Sequence, residues 1–329
     1  MPSRFRLLTE ADLRRALDGV DLIGLMEDAL RAFSAREVVQ PVRTAVMVGP
    51  ERSVLGLMPA HMPSIGALGA KLVAVFNSNH ARGLPTHFAT ILLMNDQTGE
   101  LVSIMDGSYI TETRTAAVSA VAIRHLASGP ARRLAVFGCG VQARSHVRTI
   151  AADGASLREV RMWSPFDDPV DCAAGLRAET GLPCVASRSG EAAADGADVI
   201  VLATSSPEPV IDRGWVGAGA LVISVGACRR DHREMDPDLV ACSQLIVDSR
   251  DAALIESGDI VQGIAEGRFG SDHVRGELGE VIMGRVTPRR SPADVVVFKS
   301  LGLAVEDLSA ADAAFRRATA DNLGTWLEL

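Results

Sequence analysis

Apolar residues recur along this chain with two different periods, and the change of period divides it. Near the N-terminus, Ile23, Met26, Leu30 and Phe33 follow one another at helical spacing. This single apolar stripe lies behind Thr9, whose hydroxyl suits a helix N-cap. Over 42–105 the pattern shifts to short apolar runs at 44–48, 53–58, 67–76 and 88–94, split by Gly, Pro and Asn. Asn95-Asp96-Gln97-Thr98-Gly99 reads as a hairpin turn into one more strand. This stretch is predicted to form a mostly antiparallel, strand-rich layer of its own. An alanine-rich helix over 111–127 closes it, ending at Ser128-Gly129-Pro130.

Beyond that break, strand and helix signals alternate. Strands are predicted at 133–137, 159–164, 183–186, 197–203, 220–226, 244–248 and 294–299, and helices at 141–153, 168–180 and 189–195, with shorter ones later. Apolar strands separated by helices form parallel, doubly wound sheets covered on both faces. A last helix, predicted over 309–327, follows that sheet and is expected to return to the first layer. The domain expectation is therefore 1–115 with 309–329 for one domain and 116–308 for the other.

Composition narrows the function classes. At 329 residues, with 47% apolar and 22% charged residues, the chain has the make-up of a soluble globular protein of two domains. Its net charge of −8 argues against a nucleic-acid footprint. The longest uncharged apolar run, 215–228, is too short to span a bilayer and is interrupted by glycines, so a buried strand is expected there. Arg4 and Arg6 are followed by Glu10 and Asp12 without an apolar segment, which does not read as a signal peptide. Five cysteines (139, 172, 184, 228 and 242) lack CxxC spacing, so neither a zinc site nor a disulfide framework is expected, and a reducing cytoplasm fits. No His/Asp/Glu group has metal-ligand spacing, and no G-x-S-x-G hydrolase elbow occurs.

The chemistry begins at Leu134-Ala135-Val136-Phe137-Gly138-Cys139-Gly140-Val141-Gln142-Ala143. An apolar strand runs there into a G-x-G-x-x-A turn and then a helix. Such a turn brings backbone close to a pyrophosphate, whose charge sits on the unpaired N–H groups of the helix N-terminus. The strand before it and the helix after it supply the context that a lone glycine pair lacks. A Rossmann-type dinucleotide-binding domain is expected. In such folds an acidic residue at the end of the second strand holds the ribose 2′-hydroxyl. Ser164 occupies that point here, Asp167 and Asp168 follow, and no arginine stands ready for a 2′-phosphate. The reading is NAD(H) or NADP(H), leaning to NAD(H); the alternative for both aspartates is that they start the next helix.

Outside this turn the sequence becomes more specific. Met58-Pro59-Ala60, Gly69-Ala70-Lys71-Leu72, Leu84-Pro85-Thr86, Thr98-Gly99-Glu100 and Ile110-Thr111-Glu112-Thr113-Arg114-Thr115-Ala116-Ala117 precede it. Ala203-Thr204-Ser205-Ser206, Gly226-Ala227-Cys228 with Arg233-Glu234-Met235-Asp236, and Val297-Phe298-Lys299-Ser300-Leu301-Gly302 follow it. Over nearly its whole length the series resembles the ornithine cyclodeaminase/mu-crystallin family. The resemblance implies a Rossmann-type domain plus a strand-rich α+β substrate and dimerisation domain, a homodimer, a nicotinamide cofactor, and a small carboxylated imine or amino acid as substrate.

By motif, the resemblance assigns the substrate carboxylate to Arg43, Lys71 and Arg114. A guanidinium grips a planar carboxylate with two prongs, while a lysine supplies a movable charge and a proton. Lys71 is expected near a strand end among apolar neighbours, where desolvation lowers its pKa. A surface salt bridge is the alternative for Arg43. The implied cofactor set is Thr86, Thr115, Gly138, Gly140, Val141, Gln142, Ser164, Thr204, Ser205 and Gly226. His87 and His232 are further candidates for the pocket, a structural hydrogen bond being the alternative for His87. Lys299 and Ser300 are either structural or at the cofactor.

The cyclodeaminases of the family carry an aspartate where this chain has Cys228. A thiol, with pKa about 8.5, is mostly neutral near pH 7 and does not replace a carboxylate base. Cys228 is either a catalytic group or a small wall residue. Cyclodeamination needs a base to help oxidise an amine, whereas reducing a preformed imine needs only a hydride and a proton, for which Lys71 is the expected donor. The expected activity is thus NAD(P)H-dependent imine reduction, as in the ketimine-reductase branch. The alternatives are an ammonia-releasing cyclodeaminase that recycles NAD, and a cofactor-dependent small-molecule binding protein of mu-crystallin type.

Overall fold

Thr9 caps the first helix as its side chain predicts: its hydroxyl accepts from the Asp12 amide and the Asp12 carboxylate reaches back to the Thr9 amide. That helix, Glu10–Ala16, is separate from the one carrying the apolar stripe, Leu22–Ser34, which has its own cap at Asp21. The computed structural model describes residues 4–50, 52–154 and 156–329. They form two units, Met1–Arg114 with Leu303–Leu329, and Thr115–Gly302.

The first unit is built on a seven-stranded sheet ordered Thr325–Glu328, Arg4–Leu8, Leu101–Asp106, His87–Asn95, Ala67–Val75, Ser53–Met62, Thr44–Val48. All pairings are antiparallel except that between Arg4–Leu8 and Leu101–Asp106. The alternating pattern of Ala67–Val75 buries Ala67, Gly69 and Lys71 on one face. Helix Ala304–Ala320 packs across that sheet and against helix Leu22–Ser34. It starts five residues earlier than its apolar pattern predicts, and the chain beyond it forms a strand rather than more helix. The terminal strands lack a strong apolar alternation and are held by long-range pairing. Buried Arg6 fixes them, donating to the carbonyls of Ala318 and Leu323.

The second unit contains eight parallel strands ordered Val274–Glu277, Gln244–Val247, Val296–Lys299, Leu221–Ser224, Val199–Leu202, Arg133–Phe137, Glu159–Trp163, Cys184–Ala186. Seven were predicted; short Val274–Glu277 is the addition. From the central strand Arg133–Phe137 the chain first moves outward through Glu159–Trp163 and Cys184–Ala186. It then crosses to Val199–Leu202 on the other side. The switch point therefore lies where Phe137 and Leu202 end, the place where open α/β sheets bind ligands. Among the described residues no helix is long and apolar enough to cross a membrane, no group of His, Cys, Asp or Glu suits a metal ion, and the five cysteines are free.

Candidate active site

At the switch point two glycines of the turn answer different demands. Gly138 has φ of +116°, and a Cβ on it would lie 2.5 Å from the Ala203 carbonyl oxygen, so the fold itself requires glycine. Gly140 caps helix Val141–Ala152 without a side-chain hydrogen bond, and a Cβ there would meet nothing within 4 Å. The protein leaves this space open beside the amides of the first helical turn, where exposed Val141 and half-buried Gln142 sit. The donor set and the open cradle fit a pyrophosphate.

Buried Glu234 ties the neighbouring strand ends together. Its carboxylate accepts from the amides of Thr204 (2.8 Å), Gly226 (2.8 Å) and Ala227 (3.1 Å), and from the hydroxyls of Thr204 (2.7 Å) and Ser224 (3.1 Å). The Thr204 hydroxyl thus points into the protein, while Ser205 beside it is exposed at the same edge. Asp259 accepts the amides of Glu234 and Met235. Lys299 donates to Ser224 Oγ at 2.9 Å and pairs with Asp259 at 3.2 Å. Burial lowers the Lys299 pKa, but Asp259 and its neighbours more than offset this, and the net shift is upward. Asp248 receives the Ser300 hydroxyl and the amides of Leu301 and Gly302. Lys299 and Ser300 are therefore struts in this lattice.

At the end of the second strand Ser164 Oγ accepts the amides of Phe166 and Asp167, folding its own turn. Asp168 caps helix Pro169–Thr180, whereas Asp167 stays beside Ser164, with its Oδ2 at 3.4 Å from the hydroxyl. Only one of the two aspartates starts the helix. Cys228 turns its thiol to the Val225 carbonyl at 3.5 Å and packs on the apolar core. His232 is half-buried in the same loop, its pKa lowered by burial and by Arg229.

In the first unit the structure brings Lys71, Arg114 and Arg43 together. Lys71 lies at the centre of its strand, not near the end, on the core-facing side. Its Nζ is 2.5 Å from Asp307 Oδ2 and 3.4 Å from Thr111 Oγ1. Arg114 donates through Nε to Asp307 (2.8 Å) and through Nη1 to Glu306 (2.7 Å). Burial lowers the Lys71 pKa to about 8, with Asp307 opposing and Arg114 and Arg43 adding to the fall. Burial raises the Asp307 carboxyl, yet Arg114 and Lys71 outweigh it and keep it below its usual range. His87 is pushed to about 4 by burial and by the Lys71 and Arg114 charges, so it is neutral near pH 7. Thr86 is half-buried just before it, its carbonyl accepting the Phe76 amide, and Thr115 is buried in the helix after Arg114.

The model of the ornithine cyclodeaminase/mu-crystallin family matches residues 5–322. The chain belongs to this family. It is 41% identical over 296 residues to the rat ketimine reductase mu-crystallin, covering 88% of this chain and 90% of that protein. Among solved structures, the Thermococcus litoralis Δ1-pyrroline-2-carboxylate reductase in complex with NADH and L-proline superposes with a TM-score of 0.94 at 31% identity, over 98% of this chain and 99% of that one. An archaeal alanine dehydrogenase dimer with bound NAD gives a TM-score of 0.90 at 26% identity, covering 98% and 99%.

For this family member, sequence reasoning missed the carboxylates. Glu306 and Asp307 stand just beyond the F-K-S-L-G motif but fall before the predicted start of the last helix. Glu234 lies inside the Arg233-Glu234-Met235-Asp236 motif but drew no role from it, and Asp259 carries no spacing signal. Gly69 gives the G-x-K motif a physical reason. A Cβ there would lie 2.1 Å from the Leu92 carbonyl oxygen and 3.0 Å from Leu308 Cδ2, so glycine lets the helix bearing Asp307 settle against the strand bearing Lys71.

Proposed function

We propose that the protein reduces a small carboxylated imine, cyclic or linear, to the amino acid at the expense of a reduced nicotinamide nucleotide. The observation that carries this reading is the enclosed lysine: Lys71, with a pKa near 8, can give up a proton near neutral pH, which an arginine cannot. The family relatives named ketimine reductase and pyrroline-2-carboxylate reductase support it.

When bound, the nicotinamide supplies the hydride that goes to the imine carbon. Gly138, Gly140, Val141, Gln142 and Gly226 would shape the nucleotide site, with Ser205 and Thr204 at the same sheet edge and Ser164 at the ribose; Thr86 and Thr115 are assigned to the cofactor by the family resemblance alone. Arg43 and Arg114 fix the substrate carboxylate. Lys71 and Arg114 pair with Glu306 and Asp307, and the half-buried Arg43 adds to the positive field at Lys71. The Lys71 ammonium gives its proton to the imine nitrogen. Cys228 is a wall residue in this scheme, since its thiol faces a carbonyl and the core.

Asp167, beside Ser164 in a turn (164–168) that holds no arginine, favours the free 2′-hydroxyl of NAD(H) over the phosphate of NADP(H). The seven-stranded unit exposes an apolar edge that suits a second copy, giving a homodimer. The test is oxidation of NADH and of NADPH, followed by absorbance, with a panel of carboxylated imines. Turnover without ammonia release from ornithine, and faster with NADH, is expected. A nucleotide-binding protein that turns over none of the imines would sink the proposal.

A further inference from the structure

Lysine occurs at only two positions of this chain, Lys71 and Lys299; every other residue in the Lys/Arg total of 33 is arginine. Both lysines are buried, at 2% and 0% exposure. Lysine thus remains only where the side chain is enclosed, and its ammonium differs from a guanidinium in being able to lose its proton there. Each sits beside a carboxylate and a hydroxyl, Asp259 and Ser224 for Lys299 and Asp307 and Thr111 for Lys71, yet the net pKa shift is upward for Lys299 and downward for Lys71.

We infer that Asp307 is a positioning residue for the reduction: its carboxylate fixes where the Lys71 ammonium points and sets the pH at which it gives up its proton. This rests on the reading of Lys71 as the proton donor. Charged and polar groups face Lys71 from several elements. Helix Ala304–Ala320 brings Asp307 and Glu306, helix Gly107–Leu126 brings Arg114 and the Thr111 hydroxyl, strand His87–Asn95 brings His87, and Arg43 precedes strand Thr44–Val48. On strand Ser53–Met62 the paired residue is apolar Met58. Asp307 combines a negative charge with direct contact to Lys71, and burial, Arg114 and Arg43 all oppose it. Glu306 is the internal comparison, since it is equally buried and also bound to Arg114.

The small lysine count makes the test direct. Full-length protein grown with 13Cε-lysine gives two lysine signals, assigned by the loss of one in Lys71→Met. The wild-type Lys71 signal is expected to titrate near pH 8. In Asp307→Asn the transition moves to lower pH by about one pH unit or more, and in Glu306→Gln it moves less. The alkaline limb of imine reduction follows the same displacement in Asp307→Asn and returns in Asp307→Glu. Should Asp307→Asn not fold, Asp307→Glu decides alone. The charge is retained but displaced by one methylene, so kcat falls about tenfold or more with the titration kept. An unmoved Lys71 transition in Asp307→Asn, or an unaltered kcat in Asp307→Glu, overturns the inference. If the transition moves as stated but wild type reduces no imine, the proposed reaction falls and the electrostatic control of Lys71 by Asp307 stands.

Discussion

Lys71 holds a charge that burial resists and the reaction needs, and both sides of that conflict can be measured. Proton donation requires the ammonium, so reductive turnover is expected to decline as pH rises through about 8, while oxidation of the product amino acid, which needs the free amine, rises over the same range. Stability runs against reductive activity. Because the folded pKa is depressed below the unfolded value, the unfolded chain binds more protons between pH 8 and the ordinary lysine range, and stability increases with pH there. Comparing melting temperatures of wild type and Lys71→Met across that window isolates the effect; a gap that does not change in favour of wild type as pH rises would refute it. Lys71→Met is also expected to lower kcat by about 10²-fold or more while nucleotide affinity stays near wild type, as judged by fluorescence titration. Loss of nucleotide affinity would mean that the lysine acts elsewhere. Lys71 and Arg114 were legible because each sits inside a short motif, which Arg43 does not. Their counter-charges were not: Glu306 and Asp307 lie 192 and 193 positions from Arg114, and no local pattern encodes a pairing of that range.

The elements themselves were legible where period and punctuation agree. The central parallel strands, the helix after the glycine turn and the antiparallel runs of the first unit all lie where their apolar patterns predict. The failures share one cause, which is that tertiary pairing decides short or polar segments. Strands Arg4–Leu8 and Thr325–Glu328 exist because they pair with one another and Arg4–Leu8 also pairs with Leu101–Asp106, and helix Ala304–Ala320 begins where buried Glu306 accepts the Leu303 amide. The glycine turn shows what structure adds to a motif that sequence alone can recognise. Gly138→Ala forces a side chain into a left-handed backbone and against the Ala203 carbonyl, so it is expected to destabilise the protein by about 1–3 kcal/mol. Gly140→Ala meets no protein atom, so thermal stability should be unchanged while NADH affinity falls about tenfold or more, since its methyl fills the cradle. Calorimetry and nucleotide titration on the two variants separate the roles. Equal losses of stability, or normal NADH binding by Gly140→Ala, would show that the open space at Gly140 is not where the nucleotide lies.

At the scale of the whole molecule, the seven-stranded sheet has one edge that a solitary chain would manage poorly. Among the described residues, strand Thr44–Val48 pairs only with Ser53–Met62, and all five of its residues are exposed. Its apolar side chains are Val46 at 54% exposure, Met47 and Val48, joined across the ladder by exposed Leu55 and Leu57. Natural edges are blunted by charge, proline or bulges, and none of the five residues from Thr44 to Val48 is charged or proline. A contiguous apolar edge of this kind marks an association surface. Arg43 immediately precedes the strand, so ordering the edge also orders a cation of the proposed substrate site, which links assembly to substrate binding. Wild type is therefore expected to sediment as a dimer. A Val46→Lys, Leu55→Glu double variant, placing charges on directly paired residues of the two strands, should shift it to monomer. Because the variant leaves the glycine turn and Lys71 untouched, NADH binding should persist while KM for the imine rises as Arg43 loses its support. Dimers that survive the double substitution, or a wild type that sediments as monomer, would place the function of this edge elsewhere.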